Sequence, residues 1–147
     1  MTTLTRTAQA QWNGDLKSGN GHINASSHIL NDTPYTFSTR FEDTPGTNPE
    51  ELLASSHAAC YTMALAHTLA EKGYQPDNLQ TEAFCSIESQ ENGGFKITKM
   101  RLATRGQVPN LDNTLFGQIA QEAEKACPIS NALRQNVEIE LDAALSS

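Results

Sequence analysis

TNPEELLASSHAACYTMALAHTLAEKGYQP, residues 47–76, carries a helix start, a helix body and a helix stop in unbroken order. Thr47 or Asn48 can act as the cap, Pro49 takes the first helical position where its missing N–H costs nothing, and Glu50 and Glu51 put acids in the first turn. Leu52, Ala59, Met63, Ala66 and Ala70 recur at helical spacing, with Leu53, Cys60 and Ala64 on an adjoining strip, so apolar or small residues cover most of the circumference. A helix of that kind, running from residue 49 to about residue 72, is expected to be buried and central. Gly73 supplies its stop, and Pro76 prevents it from resuming.

On the N-terminal side of this helix the chain reads as short strands separated by glycine-rich turns. Ala8, Ala10 and Trp12 alternate ahead of Asn13-Gly14, a hairpin signal. A further strand is expected over residues 35–41, with Tyr35, Phe37, Thr39 and Phe41 on one face and Thr36, Ser38 and Arg40 on the other. On the C-terminal side, two β runs between residues 80 and 108 flank Glu91-Asn92-Gly93-Gly94. Ala83, Cys85 and Ile87 alternate on the way in, and Phe95 and Ile97 on the way out. Asp112 or Asn113 then caps a helix carrying Phe116, Ile119, Ala123 and Ala126, which proline ends at Cys127-Pro128. A short helix from residue 128 to about 134 leads to Val137, Ile139 and Leu141, an alternating last strand. No internal repeat, low-complexity tract or linker interrupts the order. The expected architecture is one α+β domain over residues 1–147, antiparallel strands around a buried central helix.

Composition narrows the function classes. A chain of 147 residues and 16.0 kDa, 37% hydrophobic with a mean hydropathy of -0.48, suits one compact soluble domain. No apolar stretch approaches the roughly 18 residues that a membrane helix requires. The first ten residues lack both the apolar core of a secretory signal and the Arg-rich pattern of a transit peptide, so a cytoplasmic location is expected. A formal charge of -7 and a pI near 5.0 argue against a nucleic-acid partner, because phosphate binding depends on a dense basic patch.

Three cysteines, Cys60, Cys85 and Cys127, cannot make a complete disulfide framework, and a reducing compartment disfavours static bridges. They contain no C-x-x-C, and His22, His28, His57 and His67 show no zinc spacing, so no metal or other cofactor is expected. Cys60, on the buried helix, reads equally as a small core hydrophobe and as a functional thiol. Cys127 stands where Pro128 starts a helix. Backbone N–H groups there stabilise a thiolate, so an acidified thiol is expected, although a Cys can also simply fill a corner between helices. Cys85, on the apolar face of a strand, reads as packing. Glu50 and Glu51 can serve the helix dipole alone and Arg40 can be a solvated strand residue. Alternatively Arg40 and Glu50 pair, the carboxylate orienting a rigid guanidinium toward a thiolate and a peroxide oxygen. The four histidines read as ordinary surface or interface residues, with His57 as a general base the minor reading.

Thr39-Arg40-Phe41-Glu42, Gly46-Thr47-Asn48-Pro49-Glu50-Glu51-Leu52, His57-Ala58-Ala59-Cys60 and Cys127-Pro128-Ile129-Ser130 together resemble the OsmC/Ohr hydroperoxide reductases. The similarity runs from Trp12-Asn13-Gly14-Asp15 to the last strand. Arg40 ahead of Phe41-Glu42, and Glu-Glu after the proline, look more like the OsmC branch than the organic hydroperoxide resistance branch. The resemblance implies an OsmC-like fold and an intertwined homodimer with two active sites at the subunit interface. It also implies roles: Cys60 as the peroxidatic cysteine, Cys127 as the resolving cysteine, Arg40 as the guanidinium that activates the thiolate, and Glu50 as its orienting carboxylate. Cys85 matches nothing catalytic. Local capping favours Cys127 as the more acidic thiol, whereas the family assigns the attack to Cys60, whose burial must then be offset by a cation such as Arg40.

The mechanism implied is attack of the Cys60 thiolate on the distal oxygen of ROOH, giving an alcohol and a sulfenic acid, followed by a Cys60-Cys127 disulfide. A dithiol such as dihydrolipoamide or a lipoylated protein is the reductant the family suggests. An apolar pocket beside Met63 and Phe41 is expected to favour organic hydroperoxides over hydrogen peroxide. Two rival readings use the same residues: a non-catalytic thiol redox sensor or stress-response binding protein, and a structural module with inert thiols.

Overall fold

The computed structural model describes residues 2–146. It divides into two compact units, one up to residue 52 and one from residue 53 onward.

In the first unit, β1 (Ala8–Asn13) pairs antiparallel with β2 (Asn20–Ala25), and β2 pairs antiparallel with β3 (Thr33–Tyr35). The hairpin signalled by Asn13-Gly14 forms, but around a loop over residues 14–19 rather than a two-residue turn. Gly14 takes a φ of 91°, and the Asp15 carboxylate accepts the Ser18 backbone N–H at 2.7 Å and the Ser18 hydroxyl at 2.6 Å. Gly21 has to lack a side chain, because a Cβ there would stand 2.6 Å from the Trp12 ring and 2.7 Å from the Tyr35 ring. Those two rings, with centroids 5.3 Å apart, therefore close over bare backbone.

The expected strand over residues 35–41 is not formed. β3 stops at Tyr35, and residues Phe37–Phe41 wind into a short helix, α1. Thr36 caps it: its hydroxyl accepts the Thr39 N–H at 3.2 Å, while the Thr39 hydroxyl accepts the Thr36 N–H at 2.9 Å. This is a capping box with threonine in place of the usual Glu or Gln, and it overrides an aromatic alternation that a helix also satisfies, since Phe37 and Phe41 are four apart. Arg40 consequently does not stand opposite the aromatic side. Its guanidinium carbon lies 5.0 Å from the centre of the Phe41 ring.

The helix read from residues 47–76 is α2 (Pro49–Glu71), which starts in the first unit. Asn48, rather than Thr47, is the cap: its side-chain oxygen Oδ1 accepts the Glu51 N–H at 2.8 Å, and its side-chain Nδ2 donates to the Thr39 carbonyl at 2.9 Å.

In the second unit α2 turns His57, Tyr61, Leu65, Thr68 and Leu69 inward, while Met63 is 75% exposed and Ala59 and Ala70 are also exposed. The strip chosen by spacing is thus largely the outer face, because alanines ring the helix and leave the period without a direction; the bulky Tyr61, Leu65 and Leu69 choose the inner one. β4 (Asn78–Ser89) and β5 (Phe95–Gln107) form the hairpin expected around Glu91-Asn92-Gly93-Gly94. β6 (Glu138–Leu145) departs from the antiparallel expectation and runs parallel to β5, a pairing that needs a long crossover, which two helices supply. Those helices are α3 (Asn113–Ala126) and α4 (Pro128–Leu133). Asp112 caps α3, accepting from Leu115 N–H at 2.8 Å, and Asn113 accepts from the Leu145 N–H at 2.8 Å. The core of this unit joins Tyr61, Leu65 and Leu69 of α2 with Leu102 of β5 and Phe116, Ile119, Ala120, Ala123 and Cys127. Gly106 lets Phe116 lie on the sheet, since a Cβ would meet that ring at 3.0 Å and the Leu79 methyl at 2.9 Å.

Candidate active site

Cys60 and Cys127 lie 67 residues apart in the chain, and their sulfurs stand 3.4 Å apart as free thiols, Cys127 donating its S–H to Cys60. Bonding needs a closure of about 1.4 Å more, to the usual disulfide length. Cys127 has no exposed surface, whereas Cys60 is half-buried and opens on a cavity of about 330 Å³ lined by Met63, Ala64, His67, Thr68, Ala126 and Pro128.

Cys127 is the N-cap of α4, as expected from Cys-Pro, with φ -72° and ψ 118°. Its sulfur nevertheless makes no capping hydrogen bond. The backbone N–H of Ile129, in the first turn of α4, acts instead on Cys60, drawing its thiol pKa down. Burial still pushes the Cys60 thiol above the ordinary cysteine range; the Ile129 N–H pulls it down, and the adjoining Cys127 adds a further push upward.

Arg40 and Glu50, both in the first unit, are brought together by α1 and the first turn of α2. Arg40 Nε donates to both carboxylate oxygens at 2.9 and 3.2 Å, and Nη2 stands 2.8 Å from Oε1. Glu50 is only 6% exposed, so its charge is held by this clamp and the Arg40 side chain is fixed in turn. Arg40 lines a cavity of about 390 Å³ walled by Trp12, Tyr35, Phe37 and Phe41. Met63 lines the cavity beside Cys60, and Phe41 lines the cavity beside Arg40. Among the described residues no cluster of three His, Cys, Asp or Glu stands together to hold a metal, and no helix is long and apolar enough to cross a membrane.

One residue departs sharply from its sequence reading. His57 is not a surface or interface residue: it has no exposed surface, and its Nε2 lies 2.7 Å from the equally buried Ser130 Oγ. Desolvation holds its pKa below the ordinary histidine value, the effect opposed by Glu124 and aided by Arg134. The available signal was a matched spacing, His57 three residues before Cys60 and Ser130 three after Cys127.

Two unlinked thiols, one half-buried beside a cavity and one sealed, thus stand together in an α+β fold. A family model described as OsmC-like protein matches residues 41–142, and the chain belongs to that family. It is 43% identical over 145 residues to peroxiredoxin OsmC of Escherichia coli strain K12, covering 99% of both chains. Organic hydroperoxide resistance protein OhrB of Bacillus subtilis is 30% identical over 122 residues, 83% of this chain and 88% of that one. These identities put the chain on the OsmC side of the family. An organic hydroperoxide resistance protein from Elizabethkingia anophelis superposes with a TM-score of 0.77 at 26% identity, over 99% of this chain and 100% of that one.

Proposed function

We propose that this protein is a cysteine-based hydroperoxide reductase. The observation that carries the reading is the 3.4 Å separation of two unlinked sulfurs, one beside a cavity and one shut away from solvent. The Cys60 thiolate attacks the distal oxygen of ROOH, the O–O bond breaks, ROH leaves and Cys60 becomes a sulfenic acid. Cys127 then attacks that sulfur, water leaves and the disulfide closes. In this reading Arg40 is the cation that favours the Cys60 thiolate against the effect of burial, and Glu50 fixes the guanidinium; the carboxylate clamp on Arg40 supports that assignment. A dithiol such as dihydrolipoamide or a lipoylated protein returns the disulfide to thiols. Apolar walls beside Cys60 and aromatic walls beside Arg40 suit organic hydroperoxides better than hydrogen peroxide.

The whole chain acts in this reading as one OsmC-like domain, working in the cytoplasm as a homodimer. The exposure of Met63 next to the Cys60 cavity suits an interface there.

Steady turnover of cumene hydroperoxide with dihydrolipoamide is expected from the wild type and none from Cys60→Ser. After one equivalent of peroxide, non-reducing mass analysis is expected to show the loss of two hydrogens between Cys60 and Cys127. Peroxidase activity retained in Cys60→Ser would end the proposal, and a single oxidation without regeneration would turn it into a sensor.

A further inference from the structure

The hydrogen bond between His57 and Ser130 joins the same two helices as the sulfurs do, one turn away from them on each side. His57 precedes Cys60 by three residues on α2, and Ser130 follows Cys127 by three on α4. His57 Nδ1 has no hydrogen-bond partner. With Nε2–H donating to Ser130 the orphaned atom is a lone pair; the other tautomer would strand a buried N–H, the rarer and costlier arrangement. The imidazole therefore donates to Ser130.

α4 has only six residues and joins α3 through Cys127, a single extended residue; its C-cap Arg134 also donates to the Glu124 carbonyl at 3.0 Å and pairs with the Glu124 carboxylate, so His57 and Ser130 supply the tie to α2. A swing of α4 about that residue would carry the Cys127 sulfur away from Cys60. We propose that His57 is a positioning residue which, through Ser130, holds α4 against α2 so that Cys127 stays in line with oxidised Cys60. This rests on the peroxidase reading above. In the step it serves, the Cys127 sulfur bonds to the Cys60 sulfur, the S–OH bond breaks, and hydroxide leaves with the Cys127 proton as water. His57 touches none of these atoms; it raises the fraction of time the two sulfurs are aligned.

The test separates the two steps. Wild type, Ser130→Ala, His57→Leu and His57→Gln are each given one equivalent of cumene hydroperoxide with dimedone as a competing trap, and followed by mass. Consumption of the Cys60 thiol is expected within about twofold of wild type throughout. Disulfide formation is expected to slow about tenfold in Ser130→Ala and His57→Leu, the effect of roughly 1.4 kcal/mol lost from the aligned state. Dimedone-labelled Cys60 accumulates in its place. His57→Gln, whose terminal amide can still donate to Ser130, restores the rate. Ser130→Ala removes a single oxygen, so it reads the effect even where His57→Leu does not fold. A disulfide formed at the wild-type rate in Ser130→Ala, parallel slowing of the first step, or failure of His57→Gln to rescue overturns the proposal. Wild type that never bridges its sulfurs overturns the peroxidase mechanism itself, which is a distinct result.

Discussion

At Cys60 three influences compete for one proton. Burial and the neighbouring Cys127 favour the thiol, while the Ile129 N–H favours the thiolate. Since only the thiolate attacks peroxide, the raised pKa means reactivity climbs as pH rises toward it, and any added cation shifts that climb to lower pH. If Arg40 is that cation, Arg40→Ala moves the pH midpoint of Cys60 alkylation by iodoacetamide upward by about one unit, which is about tenfold slower reaction at neutral pH. Peptide mass distinguishes Cys60 from Cys85 in this experiment. An unmoved midpoint would leave Arg40 without an electrostatic role. The pairing of Arg40 with Glu50 was one of two readings open in the sequence; the buried carboxylate and its three short contacts decide that they pair. His57 was misread because a lone histidine on a helix carries no sign of its direction, and its partner lies 73 residues away.

Elements with strong end signals behave as the sequence reads. α2 begins at its Asn-Pro-Glu-Glu cap and stops before Gly73, whose φ of 90° is the left-handed conformation that glycine supplies at a helix end. α1 escapes the sequence reading because an aromatic alternation and an i, i+4 aromatic pair fit the same five residues, and only the Thr36 and Thr39 hydroxyls break the tie. The contact between α3 and the sheet can be tested with two glycines of opposite expectation. Gly106→Ala drives a methyl into Phe116 and Leu79 and is expected to cost about 1–3 kcal/mol. Gly117→Ala, in α3 with nothing beyond its chain neighbours and the adjacent helix backbone within 4 Å of the added carbon, is expected to gain up to about 1 kcal/mol from helix propensity. Urea midpoints measure both; equal and small shifts would mean the Phe116 contact is not tight.

For the whole molecule, the assembly proposed is a homodimer of the 16.0 kDa chain, and sedimentation equilibrium is expected to return twice that mass at micromolar concentration. A monomer mass at every concentration would leave the exposed Met63 face unexplained. Read alone, the sequence determined the α+β class, the span of α2, the β4 and β5 hairpin, the break at Cys127-Pro128 and the four motifs of the family resemblance. These rest on caps, prolines, glycines and alternation, which act between residues a few positions apart. The tertiary structure alone decided which side of α2 is buried, that β6 runs parallel to β5, that the backbone of Ile129 acts on Cys60, and that the two sulfurs, whose pairing only the family resemblance implied, stand 3.4 Å apart. Such contacts arise when whole helices and strands pack for volume and burial, and a one-dimensional pattern of residue types does not contain that competition.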